Sequence, residues 1–419
     1  MSIYEDTIPW HLKVSQLSSD RGSVSMSSSP DRRNSLSLSD RTSSYQRAIP
    51  AVSPSIAQKE ARQSESTAYK EALSREDYEQ KCESLVRTYH LGVADNSRQI
   101  EGETTTAQSA PAPGGIIIGK YTNAVHHRHG LFSTVYKATV PYPASKTMDP
   151  GALVALKVST PLNMTAPHNT ELECRILHQA RSTHIIPLLE HFLQPGGRWV
   201  LVFPFMSHDL EHLLERGPLP HKQAQSVLHN LFSGLAHLHS LNIIHRDVKP
   251  SNILLVSPSG PAYIADFGIA WSATESTLES SNCKITDVGT TSYMPPELLF
   301  GNKRYDCSLD LWAAGCVAAQ VVSLGEATLF DSGDLGSELA LILSVFRTLG
   351  TPTLEVWPEA ARFPDWGKMQ FHDFPRREWD IILPTASESA RDMVATLVRY
   401  ESGQRLTAAE ALKHPYFHS

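Results

Sequence analysis

The sequence is poor in the features that mark secreted, membrane-spanning or nucleic-acid-binding proteins. Its five cysteines are scattered without a CxxC pair, which indicates free thiols rather than a disulfide framework or a zinc site. It has no run of about 18 apolar residues that could span a bilayer, and Met1 is not followed by a signal-peptide pattern. Its net charge of −7 provides no basic field for nucleic acid or an anionic membrane. We therefore expect a cytoplasmic or nuclear protein that binds neither nucleic acid nor membrane.

The first 113 residues have little hydrophobic patterning. Serine accounts for 16 of the first 60 residues, and the apolar residues follow no sustained helical or strand period. This composition predicts a largely disordered tail over 1–113. Ser74, which is followed closely by two acidic residues, favours one helix over 75–89. A run of proline and glycine over 110–115 then predicts a linker.

The pattern changes at Ile116. Short runs rich in β-branched and aromatic residues predict strands, and one helix is predicted between the third and fourth of them. After Met206 helical patterns dominate. The predicted strands cover residues 121–125, 134–140, 152–159, 186–193 and 199–203.

A polar stretch over residues 245–252, HRDVKPSN, lies between a helix-like run and a short apolar segment. Fourteen residues after Asn252 comes Asp266, within ADFG. Transfer of a phosphoryl group needs a carboxylate that orients the attacking hydroxyl and accepts its proton, and an amide and a second carboxylate that hold Mg²⁺. Asp247, Asn252 and Asp266 supply these groups in this order. Either motif alone could arise by chance, but chance does not account for the whole set at these offsets.

On these motifs the chain resembles the eukaryotic protein kinases. The resemblance implies an α+β fold with two lobes, a five-stranded antiparallel N-lobe with one main helix over 116–206 and a mostly helical C-lobe over 207–419. It also implies ATP and Mg²⁺ as cofactors and a protein as substrate. Lys249, which precedes a proline, and Thr290, matched to a threonine that bonds the catalytic aspartate and lysine, are typical of the serine/threonine class. The implied catalytic residues are Asp247, Lys249 and Thr290, and the implied magnesium ligands are Asn252 and Asp266.

The resemblance extends to the nucleotide side. Residues 154–157, VALK, match the kinase strand whose lysine, here Lys157, reaches the α- and β-phosphates. On an alternating strand Ala155 shares the face of Lys157 and leaves room for adenine. Glu173 matches the glutamate that pairs with this lysine, whereas Glu171 is interpreted as a surface charge. The other implied nucleotide contacts are Gly130, Ser133 and Val135 in the glycine-rich loop, Phe203 and Met206 at the hinge, Asp209 facing the ribose and Leu254 beneath the purine.

The glycine-rich loop departs from the family pattern G-x-G-x-x-G-x-V. Arg128 and Ser133 replace the first and third glycines, and only Gly130 is kept. Because Arg128 is bulky, we expect this loop to hold the phosphates less tightly. Leu131 and Phe132 occupy the positions of the Thr-Tyr pair at which cyclin-dependent kinases receive an inhibitory phosphate, so we expect this inhibition to be absent.

The activation segment, residues 266–297, departs as well. The segment has several residues more than the usual length, and its stretch 274–281 is acidic and rich in hydroxyls. Ile285 stands where an activating threonine is usual, so activation by phosphorylation is not expected there unless Thr286, one residue later, substitutes. Met294 stands where proline-directed kinases place an arginine, and a preference for proline after the target hydroxyl is therefore not expected.

Two further matches have structural roles. Glu297 is expected to form a buried ion pair with Arg405. Asp310 is expected to anchor the backbone of the catalytic loop. Both imply that the large lobe is complete.

Residues 349–358, LGTPTLEVWP, and the closing stretch 411–417 resemble the cyclin-dependent-kinase branch. The altered glycine loop and the missing regulatory threonines resemble single-subunit fungal kinases that phosphorylate the activation loops of cyclin-dependent kinases. That resemblance implies a cyclin-dependent kinase as substrate and a role in the cell cycle. The need for a cyclin-like subunit stays open, because residues 167–173 keep the frame of the cyclin-binding PSTAIRE helix but few of its residues. The alternatives are a cyclin-partnered, proline-directed kinase and a pseudokinase scaffold, and the intact catalytic set favours an enzyme.

Overall fold

The computed structural model describes residues 115–142, 149–161, 164–276, 278–323, 327–333 and 336–418. The predicted tail over 1–113 and its helix over 75–89 lie outside these residues and stay predictions. None of the helices in these ranges combines the length and the apolar character that a membrane span requires.

An antiparallel sheet of six strands forms the N-terminal lobe. In the strand Leu153–Ser159, Val154 and Leu156 are buried in the core of the sheet, whereas Ala155 and Lys157 are only partly buried on the other face, as the alternation predicts. In chain order the strands are β1 (Ile116–Ile118), β2 (Tyr121–His129), β3 (Ser133–Thr139), β4 (Leu153–Ser159), β5 (Glu190–Gln194) and β6 (Arg198–Pro204). They lie side by side in the order β1-β2-β3-β4-β6-β5.

Three of these strands differ from the sequence prediction, and the predicted count of five is wrong by one. Strand β2, predicted over 121–125, runs to His129. The additional strand, β1, pairs with β2 at the edge of the sheet, where Ile118 is buried. The strand predicted over 186–193 begins only at Glu190. Ile186 and Leu188 instead join the core that the helices share, and the Ile186 N–H donates to a carbonyl of the other lobe. An apolar run by itself does not indicate which of two cores will bury it.

The main helix of this lobe is α1 (Thr170–Gln179). It begins after Asn169, whose side chain accepts a hydrogen bond of 2.9 Å from a backbone N–H in the first turn. Ile176 and Leu177 are buried, three and four residues after the buried Glu173. Residues at this spacing share one face of a helix, so the Glu173 side chain points into the lobe with them.

Helices dominate the C-terminal lobe, which packs around the buried indoles of Trp312 and Trp357. The two-lobed α+β fold that the resemblance implies is confirmed. The described helices of this lobe are α2 (Leu210–Glu215), α3 (His221–Ser240), α4 (Pro296–Leu299), α5 (Ser308–Val322), α6 (Glu338–Leu349), α7 (Trp379–Ile382), α8 (Glu388–Leu397) and α9 (Ala408–Ala411). Short strands form two small sheets, β7 (His208–Asp209) with β9 (Ile253–Leu255) and β10 (Ala262–Ile264), and β8 (Ile243–Ile244) with β11 (Trp271–Ser272).

The expected ion pair between Glu297 and Arg405 is present. Two hydrogen bonds of 2.6 and 2.7 Å join the carboxylate to the guanidinium, and both side chains are buried. The guanidinium also donates to the carbonyl of Ser308 at 3.0 Å. The pair therefore ties the end of the activation segment to the base of the large lobe.

Candidate active site

Lys157 lies at the centre of a charge network between the two lobes. Its Nζ is 2.7 and 2.9 Å from the two carboxylate oxygens of Glu173 and 2.8 Å from Oδ1 of Asp266. Burial disfavours the charged ammonium, but the two carboxylates outweigh it and hold the pKa of Lys157 above its usual value. The ammonium in turn holds the pKa of Asp266 well below its usual range. Lys157 and Asp266 are therefore ionised, whereas burial raises the pKa of Glu173 against the attraction of Lys157. The three groups join β4, α1 and the ADFG segment.

Asp247 is surrounded by hydrogen-bond donors. Thr290 Oγ1 donates to its Oδ1 at 2.8 Å and itself accepts from Lys249 Nζ at 2.8 Å. Lys249 Nζ also lies 2.8 Å from Asp247 Oδ2, and Asn252 Nδ2 donates to that oxygen at 2.9 Å. The structure thus brings the three predicted catalytic residues together, with a predicted magnesium ligand beside them.

The backbone of the catalytic loop is held by Asp310. Its two carboxylate oxygens accept the N–H groups of His245 and Arg246, each at 2.9 Å. Burial opposes the charge of Asp310, but hydrogen bonds from His239 and from the loop outweigh it and keep its pKa below the usual value. Arg246 has a left-handed φ of 69°, a conformation that residues other than glycine rarely adopt. The anchor expected of Asp310 is therefore present, and it keeps this backbone in place directly before Asp247.

Asn252 and Asp266 offer oxygen donors that suit Mg²⁺. The Asn252 amide nitrogen donates to the backbone carbonyl and the carboxylate of Asp247, at 2.8 and 2.9 Å. Its amide oxygen is therefore not the atom that bonds to Asp247. Asp266 has a side chain that is 51% exposed, although its Oδ1 contacts Lys157. An amide oxygen and carboxylate oxygens are hard ligands of the kind Mg²⁺ prefers, so these residues fit the ion.

The register of the sheet brings the predicted adenine-side residues together. Val135 on β3 lies opposite Lys157 on β4, and Ala155 lies opposite Phe203 on β6. Phe203 is buried, and Met206 follows the end of β6 in a half-buried position. These residues therefore lie on adjacent strands and at the start of the hinge.

The two small residues of the glycine-rich loop close the turn between β2 and β3. The Gly130 N–H donates to the carbonyl of Ser133 at 2.7 Å. A Cβ at Gly130 would lie 3.0 Å from Ser133 Oγ. Gly130 is therefore suited to this tight turn, in addition to agreeing with the family pattern.

Asp209, expected to face the ribose, already has two partners. Its Oδ2 accepts a hydrogen bond from Arg128 at 3.0 Å, and its Oδ1 accepts the N–H of His212 at 2.8 Å, which caps α2. Leu254 lies opposite Asp209 in the pairing of β7 with β9. In the sequence Arg128 is only a bulky replacement for a glycine, and no local motif indicates a partner 81 residues away. Arg128 therefore competes for the carboxylate assigned to the ribose.

The activation segment is attached to the catalytic loop by Glu279, a residue that the sequence analysis did not single out. Its carboxylate accepts two hydrogen bonds from the buried guanidinium of Arg246, at 2.9 and 2.7 Å, and a third from the N–H of Ile285 at 2.8 Å. Burial opposes the charge of Glu279, but these donors outweigh it and lower its pKa. The acidic character of 274–281 was the only signal in the sequence. Ile285, at the position of the usual activating threonine, is part of this arrangement.

Comparison with known proteins agrees with this geometry. The chain matches the protein kinase domain family over residues 129–417. It is similar to proteins named cyclin-dependent kinase 20 from Homo sapiens, Mus musculus and Danio rerio, with 34% identity over 292 residues in each case. These alignments cover 69% of this chain and 80% of each relative.

Proposed function

Because the chain belongs to the protein kinase family and is a serine/threonine kinase of its cyclin-dependent-kinase-like branch, we propose that it phosphorylates the activation loops of cyclin-dependent kinases. A kinase that starts a cascade benefits from being active without a prior phosphate. The observation that carries the proposal is the ion pair between Arg246 and Glu279. In this pair a carboxylate of the chain itself, rather than an added phosphate, attaches the activation segment to the catalytic loop.

The residues around Asp247 are suited to the transfer of a phosphoryl group to a hydroxyl. Asp247 accepts the hydroxyl proton of the substrate serine or threonine. The hydroxyl oxygen bonds to the terminal phosphorus of ATP, and the bond from that phosphorus to the β-phosphate oxygen breaks. Thr290 and Asn252 orient the Asp247 carboxylate through their hydrogen bonds. Lys249, which contacts both Asp247 and Thr290, stabilises negative charge on the group being transferred.

Lys157, Asn252 and Asp266 have the roles of binding and orienting ATP. Asn252 and Asp266 would hold Mg²⁺, and the bound ion would neutralise negative charge on the phosphates. Lys157 contributes a permanent ammonium that Glu173 holds in place at 2.7 Å. The nucleotide base lies against Ala155 and Leu254 in this proposal, with the backbone of Met206 at its edge.

A cyclin-dependent kinase made inactive by mutation, unphosphorylated and free of cyclin, tests the proposed substrate. Purified full-length protein is incubated with this target, Mg²⁺ and ATP, and mass spectrometry maps the modified residue. We expect phosphate on the activation-loop threonine. Labelling only after a cyclin is added to the enzyme, and only at sites before proline, would support the cyclin-partnered alternative instead.

The Asp247→Asn variant separates an enzyme from a scaffold. It removes the proton acceptor while keeping the size of the side chain, although one of the two acceptor oxygens becomes a donating amide group. We expect phosphate transfer to fall by at least about 10²-fold while circular dichroism shows an intact fold. Equal incorporation of radiolabel by the variant and the wild type contradicts the role of Asp247. No labelling of any peptide library by the wild type supports the pseudokinase alternative.

A further inference from the structure

A second cluster of reactive side chains lies on the N-terminal lobe, apart from the residues around Lys157. We propose that Cys174, His178 and His191 form a zinc-binding site. One ligand atom of each residue lies within 4.8 Å of the corresponding atoms of the other two. The spacing of the cysteines alone argued against zinc, but only one of these three ligands is a cysteine.

The first two ligands come from one face of α1. Cys174 and His178 are four residues apart, a spacing that places side chains side by side on a helix. The Cys174 sulfur is 3.7 Å from Nδ1 of His178. This nitrogen also lies 2.8 Å from the backbone carbonyl of Cys174, so coordination of zinc through Nδ1 replaces that hydrogen bond. Tetrahedral zinc with bonds of about 2.3 Å to sulfur and about 2.0 Å to nitrogen holds these two atoms about 3.5 Å apart. The helix therefore presents the pair at almost the required separation.

The third ligand comes from the sheet. His191 lies on β5, the edge strand, and its ring is perpendicular to that of His178 with 5.4 Å between the ring centroids. The ring of His191 also stacks on Trp199 at 5.8 Å, which limits its orientations. Both imidazoles are exposed, whereas the Cys174 side chain is buried behind them. An ion can thus enter from solvent, and water completes the four ligands of a tetrahedral site.

The charges around the cluster allow a cation. The depression that contains the three ligands is also lined by Glu171, Arg175 and Glu275. Arg175 contacts both carboxylates, Glu171 at 2.7 Å and Glu275 at 3.0 Å. Its positive charge is thus more than balanced, and the three side chains together carry one negative charge. Zinc binding forms the bond to the Cys174 sulfur and releases the thiol proton to solvent.

Bound zinc would fasten α1 to β5. Cys174 directly follows Glu173, the partner of Lys157. A metal bridge from this turn of the helix to the sheet restricts movement of α1 away from β4. Zinc is therefore expected to stabilise the lobe and to favour the ion pair between Lys157 and Glu173.

The test measures metal binding by the full-length protein after treatment with a chelator. Zn²⁺ is added back and excess is removed, and the bound metal is then counted by mass spectrometry. Co²⁺ is added in a parallel sample as a spectroscopic probe. We expect one zinc per chain, visible absorption bands of tetrahedral Co²⁺ together with a thiolate charge-transfer band, and a melting temperature that rises with Zn²⁺.

The variant His178→Gln/His191→Gln removes two exposed ligands and leaves the buried cysteine in place. We expect Zn²⁺ binding to weaken by more than about 100-fold, beyond what the loss of an outer-shell partner costs. The controls His129→Gln and Cys283→Ser, at exposed positions outside the cluster, should bind as the wild type does. Circular dichroism verifies the fold of each variant. The proposal is overturned if the wild type retains no zinc, if Co²⁺ gives no thiolate band, or if the double variant binds as tightly as the wild type.

Discussion

The guanidinium of Arg246 donates to both carboxylate oxygens of Glu279, at 2.9 and 2.7 Å, and no part of the Arg246 side chain is exposed. Arg246 directly precedes Asp247, whereas Glu279 lies 33 residues later in the activation segment. The ion pair therefore holds together two segments whose alignment the transfer reaction requires.

Removal of the charge of Glu279 should impair both activity and stability. In the Glu279→Gln variant the guanidinium of Arg246 stays buried without a counter-charge, and breaking a buried pair in this way costs about 3 kcal/mol. We expect kcat to fall by at least about tenfold, equivalent to about 1.4 kcal/mol. Kinetics with a peptide substrate and urea unfolding check both values. Glu275→Gln, in the same segment but half-buried in an ion pair with the more exposed Arg175, is the control, and an equal loss in that variant contradicts the assignment.

The stability that Glu279 contributes should depend on pH. Its pKa is lower in the folded protein than the usual 4.5, so the unfolded chain takes up the proton first as the pH falls. The contribution is then complete above about pH 4.5 and is lost as the pH falls through the folded-state pKa. We expect the gap in unfolding free energy between wild type and Glu279→Gln to be constant at neutral pH and to shrink below about pH 4.5. A gap that widens on acidification shows that another group is responsible.

Arg128 should weaken nucleotide binding by occupying Asp209. The pair is partly exposed, with 42% of the Arg128 side chain in solvent, so breaking it costs no more than about 1 kcal/mol. In the Arg128→Ala variant we expect the KM for ATP to fall by up to about fivefold with little change in kcat. The control Lys120→Ala breaks an ion pair of similar exposure with Glu190. A rise in the KM for ATP shows instead that Arg128 contacts the nucleotide.

Glu297 should matter for folding rather than for chemistry. Glu297→Gln leaves the guanidinium of Arg405 buried without its counter-charge, at a cost of about 3–5 kcal/mol in unfolding free energy. Asp365→Asn removes one carboxylate from an exposed pair with Lys368 and should cost less than about 1 kcal/mol. Thermal unfolding of the two variants measures the difference. Similar melting temperatures contradict the structural role.

The amino-acid sequence by itself determined the motifs, and the family resemblance that they carry implied the two-lobed fold. The spacing of Asp247, Lys249 and Asn252 is local, so a short stretch of chain contains both the residue types and their offsets. The alternation along β4 likewise places Ala155 and Lys157 on one face of the sheet, since this depends only on their spacing. Longer motif matches also paired Glu297 with Arg405 and Lys157 with Glu173.

The tertiary structure alone decided the contacts that no motif contains. Arg128 pairs with Asp209, 81 residues away in the chain, and Arg246 pairs with Glu279, 33 residues away. His191 on β5 lies beside Cys174 and His178 on α1. The same holds for Ile186, which could enter either core. In each case the sequence gives a charge, a ligand or an apolar side chain but not its partner. The partner depends on how distant segments pack, since a charge or an apolar group is stabilised by any suitable neighbour that the fold brings within reach.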